Sequence, residues 1–415
     1  MSFIDGQKRP IAGLGLAFVF ATMAAPLAGQ VPADSVTRRE VATGVVLTQI
    51  ARARGPWRVN VLAVDLRRGE IGLRHARAHD FLRTRERTSD IVRRWTDAGV
   101  EVIAAVNADF FDLKTGENEN NQVIDGEWWK GVKVTESPFG TFANAHAQFA
   151  FDSLRRPAID RFEFVGEARA ARGVIPLIAL NAFPLGPEGT ALYTWRYGAT
   201  TPRDTVRATA EAPLVLAGRR ADTVLYVRRG VRVTGTGSGI GGGAIPPLGA
   251  SLAGYGPRAR EVDAIADGET LKVVQRAVGR LAPARPAARL ALVIGGWPRI
   301  LRDGVNVAAG AAAEEGTISR NAEVRHPRTG VGFSRDSSTL FLVTVDGRST
   351  ASAGMTLVEF ADLCRELGAW QAMNFDGGGS TTMVVQGKIV NTPSDPTGER
   401  AVGNALVVVR ERRPR

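Results

Sequence analysis

Asn374-Phe375-Asp376-Gly377-Gly378-Gly379-Ser380-Thr381-Thr382 is the stretch on which the rest of the chain turns. The apolar run 370–375 reads as a buried strand, and three consecutive glycines end it. Such a run weakens regular structure, so another requirement must justify it. Glycines admit positive φ and let a ligand approach the main chain closely. Successive N–H groups in such a turn can also form a concave nest for an anion. Ser380, Thr381 and Thr382 add hydroxyl donors, while the competing reading is a plain turn with Asp376 as a local cap. No G-x-S-x-G elbow surrounds Ser380, which argues against an esterase nucleophile.

Working upstream, Thr356 and Glu359 spell a T-x-x-E capping box. The helix after it carries Phe360, Ala361, Cys364 and Leu367 on one apolar face, and Gly368 stops it. Before it, 330–334 and 339–346 read as the arms of a hairpin, and 289–294 as a strand ending at Gly295-Gly296. Much earlier the same order recurs. Thr88-Ser89-Asp90 offers caps for a helix with Ile91, Val92, Trp95 and Ala98, Gly99 stops it, and the apolar run 100–106 delivers Asn107-Ala108-Asp109. Asn-x-Asp at 107–109 thus echoes Asn-x-Asp at 374–376. Each strand brings an amide and a carboxylate to a loop, and the ends of buried strands are where α/β enzymes place their sites.

Further strands are expected at 57–66 and 71–74, preceded by a polar, Arg-bearing entry segment from 31 to about 55. The middle, roughly 137–286, is punctuated by Pro and Gly between short alternating runs and reads as mainly β. Its glycine-rich stretch 235–243 is followed by Ala244-Ile245-Pro246-Pro247 and not by a helix, so it reads as a loop and not a dinucleotide fingerprint. These elements predict an α+β fold: a mixed β-sheet core with packed helices and a β-rich middle region. The expected divisions are a leader (1–30), an entry segment with the first elements (31–100), a main domain (101–409) and a basic tail (410–415).

Lys8 and Arg9 precede the apolar run 11–25, with small residues at Ala28 and Gly29. That order is a secretory signal, predicting a secreted or periplasmic protein. The run is short of the roughly 20 residues that span a bilayer, and no later segment is long and apolar enough, so no stable membrane insertion is expected after cleavage. A single cysteine, Cys364, excludes an intrachain disulfide. The formal charge of +11 is almost all arginine and is scattered along the chain, so no nucleic-acid groove is expected.

Arg325-His326-Pro327-Arg328-Thr329-Gly330 is the second chemical signal. Adjacent His and Arg before a strand suit a phosphate through charge-assisted, bidentate bonds; an ordinary basic turn is the alternative. Four histidines and no Cys-rich spacing leave little for zinc. Asp109, Asp112, Glu117 and Glu119 could hold a hard divalent cation, against the reading of a solvated acidic loop.

From 102 to 409 the sequence resembles the phosphodiester glycosidase family, relatives of the uncovering enzyme. The resemblance rests on 326–333 (His-Pro-Arg-Thr-Gly-Val-Gly-Phe), Val345-Asp346-Gly347-Arg348, Gly354-Met355-Thr356-Leu357, 374–383, Asn391-Thr392-Pro393-Ser394-Asp395 and Gly403-Asn404-Ala405-Leu406. Upstream, Asn107-Ala108-Asp109-Phe110-Phe111 resembles the family's Asn-x-x-Phe-Phe element, with Asp109 where many members have glycine. The resemblance implies hydrolysis of a sugar joined at its anomeric carbon to a phosphate that is esterified to a second group. Such chemistry needs a cradle for phosphate charge and a carboxylate beside a developing oxocarbenium ion. It assigns the cradle to His326, Arg328 and the Gly377, Gly378 and Gly379 amides. Asp376 is the first catalytic carboxylate, with Asp109 and Asp346 behind it. Asn107, Asn374 and Asn404 would bind sugar hydroxyls or hold the loop, with Ser380 and Thr381 as further substrate contacts. The expected partner is a phosphodiester-linked carbohydrate, and no cofactor beyond the divalent cation above. Two other readings stay open: a non-catalytic polysaccharide-binding exported protein, and a metal-dependent phosphodiesterase cleaving P–O.

Overall fold

The computed structural model describes residues 34–137, 140–143, 146–220, 223–235, 240–280, 289–317 and 322–411. The leader, part of the 235–243 loop and the end of the basic tail lie outside these residues.

Strand makes up 50% of the structure and helix 12%, so the molecule is mostly β with few helices, and the expected α+β fold with packed helices holds only loosely. Three large sheets build it. An eight-stranded antiparallel sheet runs in the order Ser35–Ala42, Val45–Arg52, Trp57–Asp65, Thr339–Val345, Arg328–Phe333, Gln371–Asn374, Arg299–Arg302, Val305–Asn306. A five-stranded antiparallel sheet has Val102–Asn107 at its centre, between Met383–Val385 and Asn404–Arg410, with Ile71–Arg77 beyond the latter. The 14-stranded sheet is the β-rich middle region, which begins earlier than expected, at Gln122–Ile124, and also takes in Leu290–Gly295.

Strand alternation sorts the side chains. Val106, Leu406 and Val408 face inward, onto Leu62, Val331, Leu342 and Met373 of the eight-stranded sheet. Their neighbours Ala105, Val407 and Val409 face outward, under Ile91 and Val92 of the helix Thr88–Asp97. The helix Leu357–Glu366 covers the other face of the eight-stranded sheet, where Phe360, Ala361 and Cys364 pack on Val59, Val61, Val343 and Val345. Its Thr356–Glu359 capping box forms as expected. Burial raises the pKa of the Cys364 thiol to about 12, which suits a structural residue.

Two local expectations need correction. The entry segment is a hairpin, Ser35–Ala42 with Val45–Arg52. Val45, Leu47 and Ala51 are buried, but Arg38, Arg39 and Glu40 decorate an edge strand, and such edge charges hide a strand in sequence. The helix Thr88–Asp97 receives no cap from its own Thr-Ser-Asp. Glu399 instead accepts from the Ser89 amide at 2.9 Å and from its hydroxyl. That carboxylate supplies the negative charge favoured at a helix N-terminus.

Candidate active site

The site lies where strands of two different sheets end side by side. Both sheets are antiparallel, so the site stands at strand ends without the parallel sheet of an α/β enzyme. Phe375 N–H donates to Thr329 O at 2.8 Å, and Asp376 N–H to Ala108 O at 2.7 Å. The Asn107 side-chain amide donates to Asp376 O at 2.7 Å, and its Oδ1 accepts from Thr329 Oγ1 at 2.8 Å and Thr382 N–H at 3.0 Å. All the polar atoms of the Asn107 side chain are therefore used in joining the sheets. Of the two roles expected for it, sugar contact or holding the loop, these bonds fit the second.

Phe110, Trp297, His326, Arg328, Arg348, Asn374, Asp376, Gly377, Gly378, Gly379 and Arg400 line a cleft of about 140 Å³. Asp376 is half-buried and lines the cleft. Burial raises its pKa to about 6, opposed by hydrogen bonds from Ser380 and Gly377 and by the charges of Arg400 and Arg348. It is thus mainly a carboxylate at neutral pH.

Positive charge surrounds it. Arg400 grips Asp395 with two bonds, Nε to Oδ2 at 2.7 Å and Nη2 to Oδ1 at 2.9 Å, and its Nη1 is 3.5 Å from Ser380 Oγ. Arg348 stands 3.9 Å from Asp395, with Nη2 3.4 Å from His326 Nδ1. His326 has its pKa lowered by burial, then by Arg328 and Arg348, so the ring is neutral at pH 7. Arg328 is pushed down to about 10 by burial and stays charged. Its Nε and Nη2 donate to Met355 O and Val324 O, both at 2.8 Å. Arg328 therefore adds its charge at the cleft wall, but the fork expected to hold two phosphate oxygens is engaged with backbone. Arg348 and Arg400 are the more open guanidinium groups.

The glycines are required mainly by close packing. A Cβ at Gly377 would meet Pro327 O at 2.5 Å, and one at Gly379 would meet Asp395 Oδ1 at 1.9 Å and Arg400 Nη2 at 2.3 Å. Gly378 alone has positive φ, +58°, and its N–H donates to Pro327 O at 2.9 Å. With the Gly377 amide turned to Asp376, the expected three-amide nest is not present.

Of the remaining expected residues, only Asn374 is in the cleft lining. Asp109 is buried, accepts from Asn120 N–H and Nδ2, and is raised to about 7 by burial. Asp346 is buried, raised to about 6 by burial, and accepts the Thr392 amide at 3.1 Å, which anchors the loop leading to Asp395. Asn404 takes the Asp109 amide on Oδ1 and donates to His75 Nε2. Ser380 and Thr381 are buried, and only Ser380 reaches the site chemistry, through Asp376. Asn374 lines the cleft with its amide tied to Trp297 O.

Among the described residues, no group of three or more His, Cys, Asp or Glu side chains could hold a metal ion. Asp112 instead accepts from the Lys114 and Thr115 amides, and Glu117 pairs with Lys130.

Arg348, Arg400, Asp395 and Trp297 were given no role from the sequence. The first three sit in turn-rich loops with no periodicity to mark them. The signal available was an Asp and an Arg five residues apart beyond Pro393, in the same ordered set of short motifs as Arg348.

Three arginines thus surround one half-buried carboxylate in a cleft at the meeting of two antiparallel sheets. Residues 222–409 match the family described as phosphodiester glycosidase. A stretch of 82 residues, 20% of this chain, is 39% identical to 16% of N-acetylglucosamine-1-phosphodiester alpha-N-acetylglucosaminidase of Mus musculus. Another of 92 residues, 22% of this chain, is 40% identical to 14% of the uncharacterized SPbeta prophage-derived protein YomE of Bacillus subtilis strain 168. These matches span about a sixth or less of the relatives' own length. The fold is similar to that of a hypothetical protein from Synechocystis, with a TM-score of 0.71 and 21% identity over 91% of this chain and 64% of the other. It is also similar to a Burkholderia pseudomallei K96243 protein named for its expected export, with a TM-score of 0.62 and 26% identity over 85% and 74% of the two chains. The matched segment, residues 222–409, is thus similar to the phosphodiester glycosidase family.

Proposed function

We propose that this cleft hydrolyses a sugar-1-phosphodiester at the glycosidic C–O bond, on a phosphodiester-linked glycan or glycoconjugate. The observation that carries the reading is Asp376, a carboxylate held rigidly at a strand end with Arg348 and Arg400 on the same cleft. The arginines hold the phosphate charge, and neutral His326 hydrogen-bonds a phosphate oxygen. Asp376 stabilises positive charge developing at the anomeric carbon. The C–O electron pair leaves with the phosphate oxygen, water adds its oxygen to the anomeric carbon as the hydroxyl of the free sugar, and the water's other proton passes to solvent. Because the leaving group is already stable as an anion, the reaction needs little general-acid help, consistent with a single cleft carboxylate.

We also infer export, supported by Lys8, Arg9 and the apolar run 11–25 and by the description of the Burkholderia protein. Among the described residues, no helix is long and apolar enough to cross a membrane. Mass spectrometry of protein from its native envelope should find a chain starting near Val31. An intact Met1 terminus retained in the membrane would overturn export.

The reaction is tested with a panel of sugar-1-phosphodiesters in ¹⁸O-water. Glycosidic cleavage places the label on the sugar hydroxyl. Label on phosphate would assign a P–O phosphodiesterase, and binding without turnover a carbohydrate-binding protein.

A further inference from the structure

The loop 391–400 places a second carboxylate, Asp395, against the two open arginines of the cleft. Asp395 bonds Arg400 bidentately at 2.7 and 2.9 Å and is 3.9 Å from Arg348. Three features hold it there. Asp346 anchors Thr392 at the start of the loop, and Glu399 ties its end to Ser89. Gly379 leaves the space the ion pair fills, since a Cβ there would lie 1.9 Å from Asp395 Oδ1.

The consequence is a matter of charge. Arg328, Arg348 and Arg400 line the cleft with Asp376, and Asp395 sits directly behind the last two arginines. The nearby Glu359 is paired with Arg325, and His326 is neutral at pH 7. Three guanidinium groups against two carboxylates leave one positive charge. That matches a phosphodiester, a monoanion, and leaves the second charge of a phosphomonoester uncompensated in a partly desolvated site.

We propose that Asp395 is a specificity-determining residue that makes the cleft select phosphodiester monoanions over phosphomonoester dianions. This rests on the reading of the cleft as a phosphate-diester site, and it adds a reason for release of the product, which carries one charge more than the substrate.

The test is calorimetric binding of dimethyl phosphate and methyl phosphate at pH 8, where the monoester, with a second pKa near 6, is a dianion. The proteins are wild type, Asp395→Asn, Asp395→Ser and the double variant Asp395→Asn/Arg400→Gln. Both single variants should tighten methyl phosphate relative to dimethyl phosphate by at least about tenfold, as expected for removing a unit charge near the ligand. The double variant should return to the wild-type ratio, because it restores the net charge. An unchanged ratio, or equal weakening of both ligands, overturns the proposal and leaves Asp395 a loop clamp. So does failure of wild type to bind either anion, or failure of both single variants to fold. Sugar-1-phosphodiester hydrolysis by wild type separates the two claims. Turnover with an unchanged ratio sinks only the role of Asp395, whereas a shifted ratio without turnover sinks only the catalytic reading.

Discussion

The side-chain amide of Asn107 reaches the backbone carbonyl of Asp376 at 2.7 Å, tying the central strand of the five-stranded sheet to the carboxylate-bearing end of the eight-stranded one. Two more bonds, from Thr329 and Thr382, converge on the same side chain. Asn107→Ala would leave several buried partners unsatisfied and should cost about 2–4 kcal/mol of stability. Urea denaturation measures this. A loss below about 0.5 kcal/mol would show that the sheets are joined by other means.

Asp109 gives a pH signature. Burial raises its folded pKa to about 7, above the ordinary 3.8, so the native state holds a proton that the unfolded chain has lost across this window. Stability contributed by this group therefore falls as pH rises from about 4 to 7. Asp109→Asn cannot ionise and escapes that loss. Its stability relative to wild type should improve between pH 5 and pH 8, by on the order of 3 kcal/mol. The slope is what matters, because Asn also disturbs the bonds from Asn120 and shifts the curve as a whole. Parallel stability curves for the two proteins would contradict this account of Asp109.

Two neighbouring glycines should fail differently. At Gly379 an added Cβ meets the ends of the Asp395 and Arg400 side chains, which can move. Gly379→Ala should keep most of its stability and lower kcat/KM at least about tenfold by displacing the arginine. At Gly377 the Cβ meets Pro327 O, which is backbone. Gly377→Ala should lower Tm more than Gly379→Ala does. The opposite order in thermal denaturation would mean that the loop does not pack as described.

Much of this architecture was legible because period and capping agree with the tertiary result. The run ending in Asn374, the hairpin arms at Arg328–Phe333 and Thr339–Val345 and the Thr356–Glu359 box each carry a local signal that packing reinforces. The Ser35–Ala42 edge strand carries no such signal, because its outward residues are charged. The site was legible as a set of positions and less so as a set of roles. Sequence shows that Asn107, Asn404, Asp109 and Asp346 lie near turns, but not whether a polar atom faces a cleft or a buried amide. Arg348 and Arg400 reach the site through folded loops whose geometry no periodicity encodes.

Asp376 is where the account is most exposed. Its raised pKa means that the charge is costly to hold, so Asp376→Asn should leave Tm nearly unchanged. For wild type, kcat/KM should decline as pH falls through about 6, because the carboxylate form is the active one. The most direct measurement is kcat/KM of Asp376→Asn on a sugar-1-phosphodiester that wild type cleaves, with Tm recorded on the same preparation. A fall of about a hundredfold or more is expected, the scale of losing a strong electrostatic stabiliser, in a protein that is still folded. A folded variant with near-wild-type kcat/KM would contradict it.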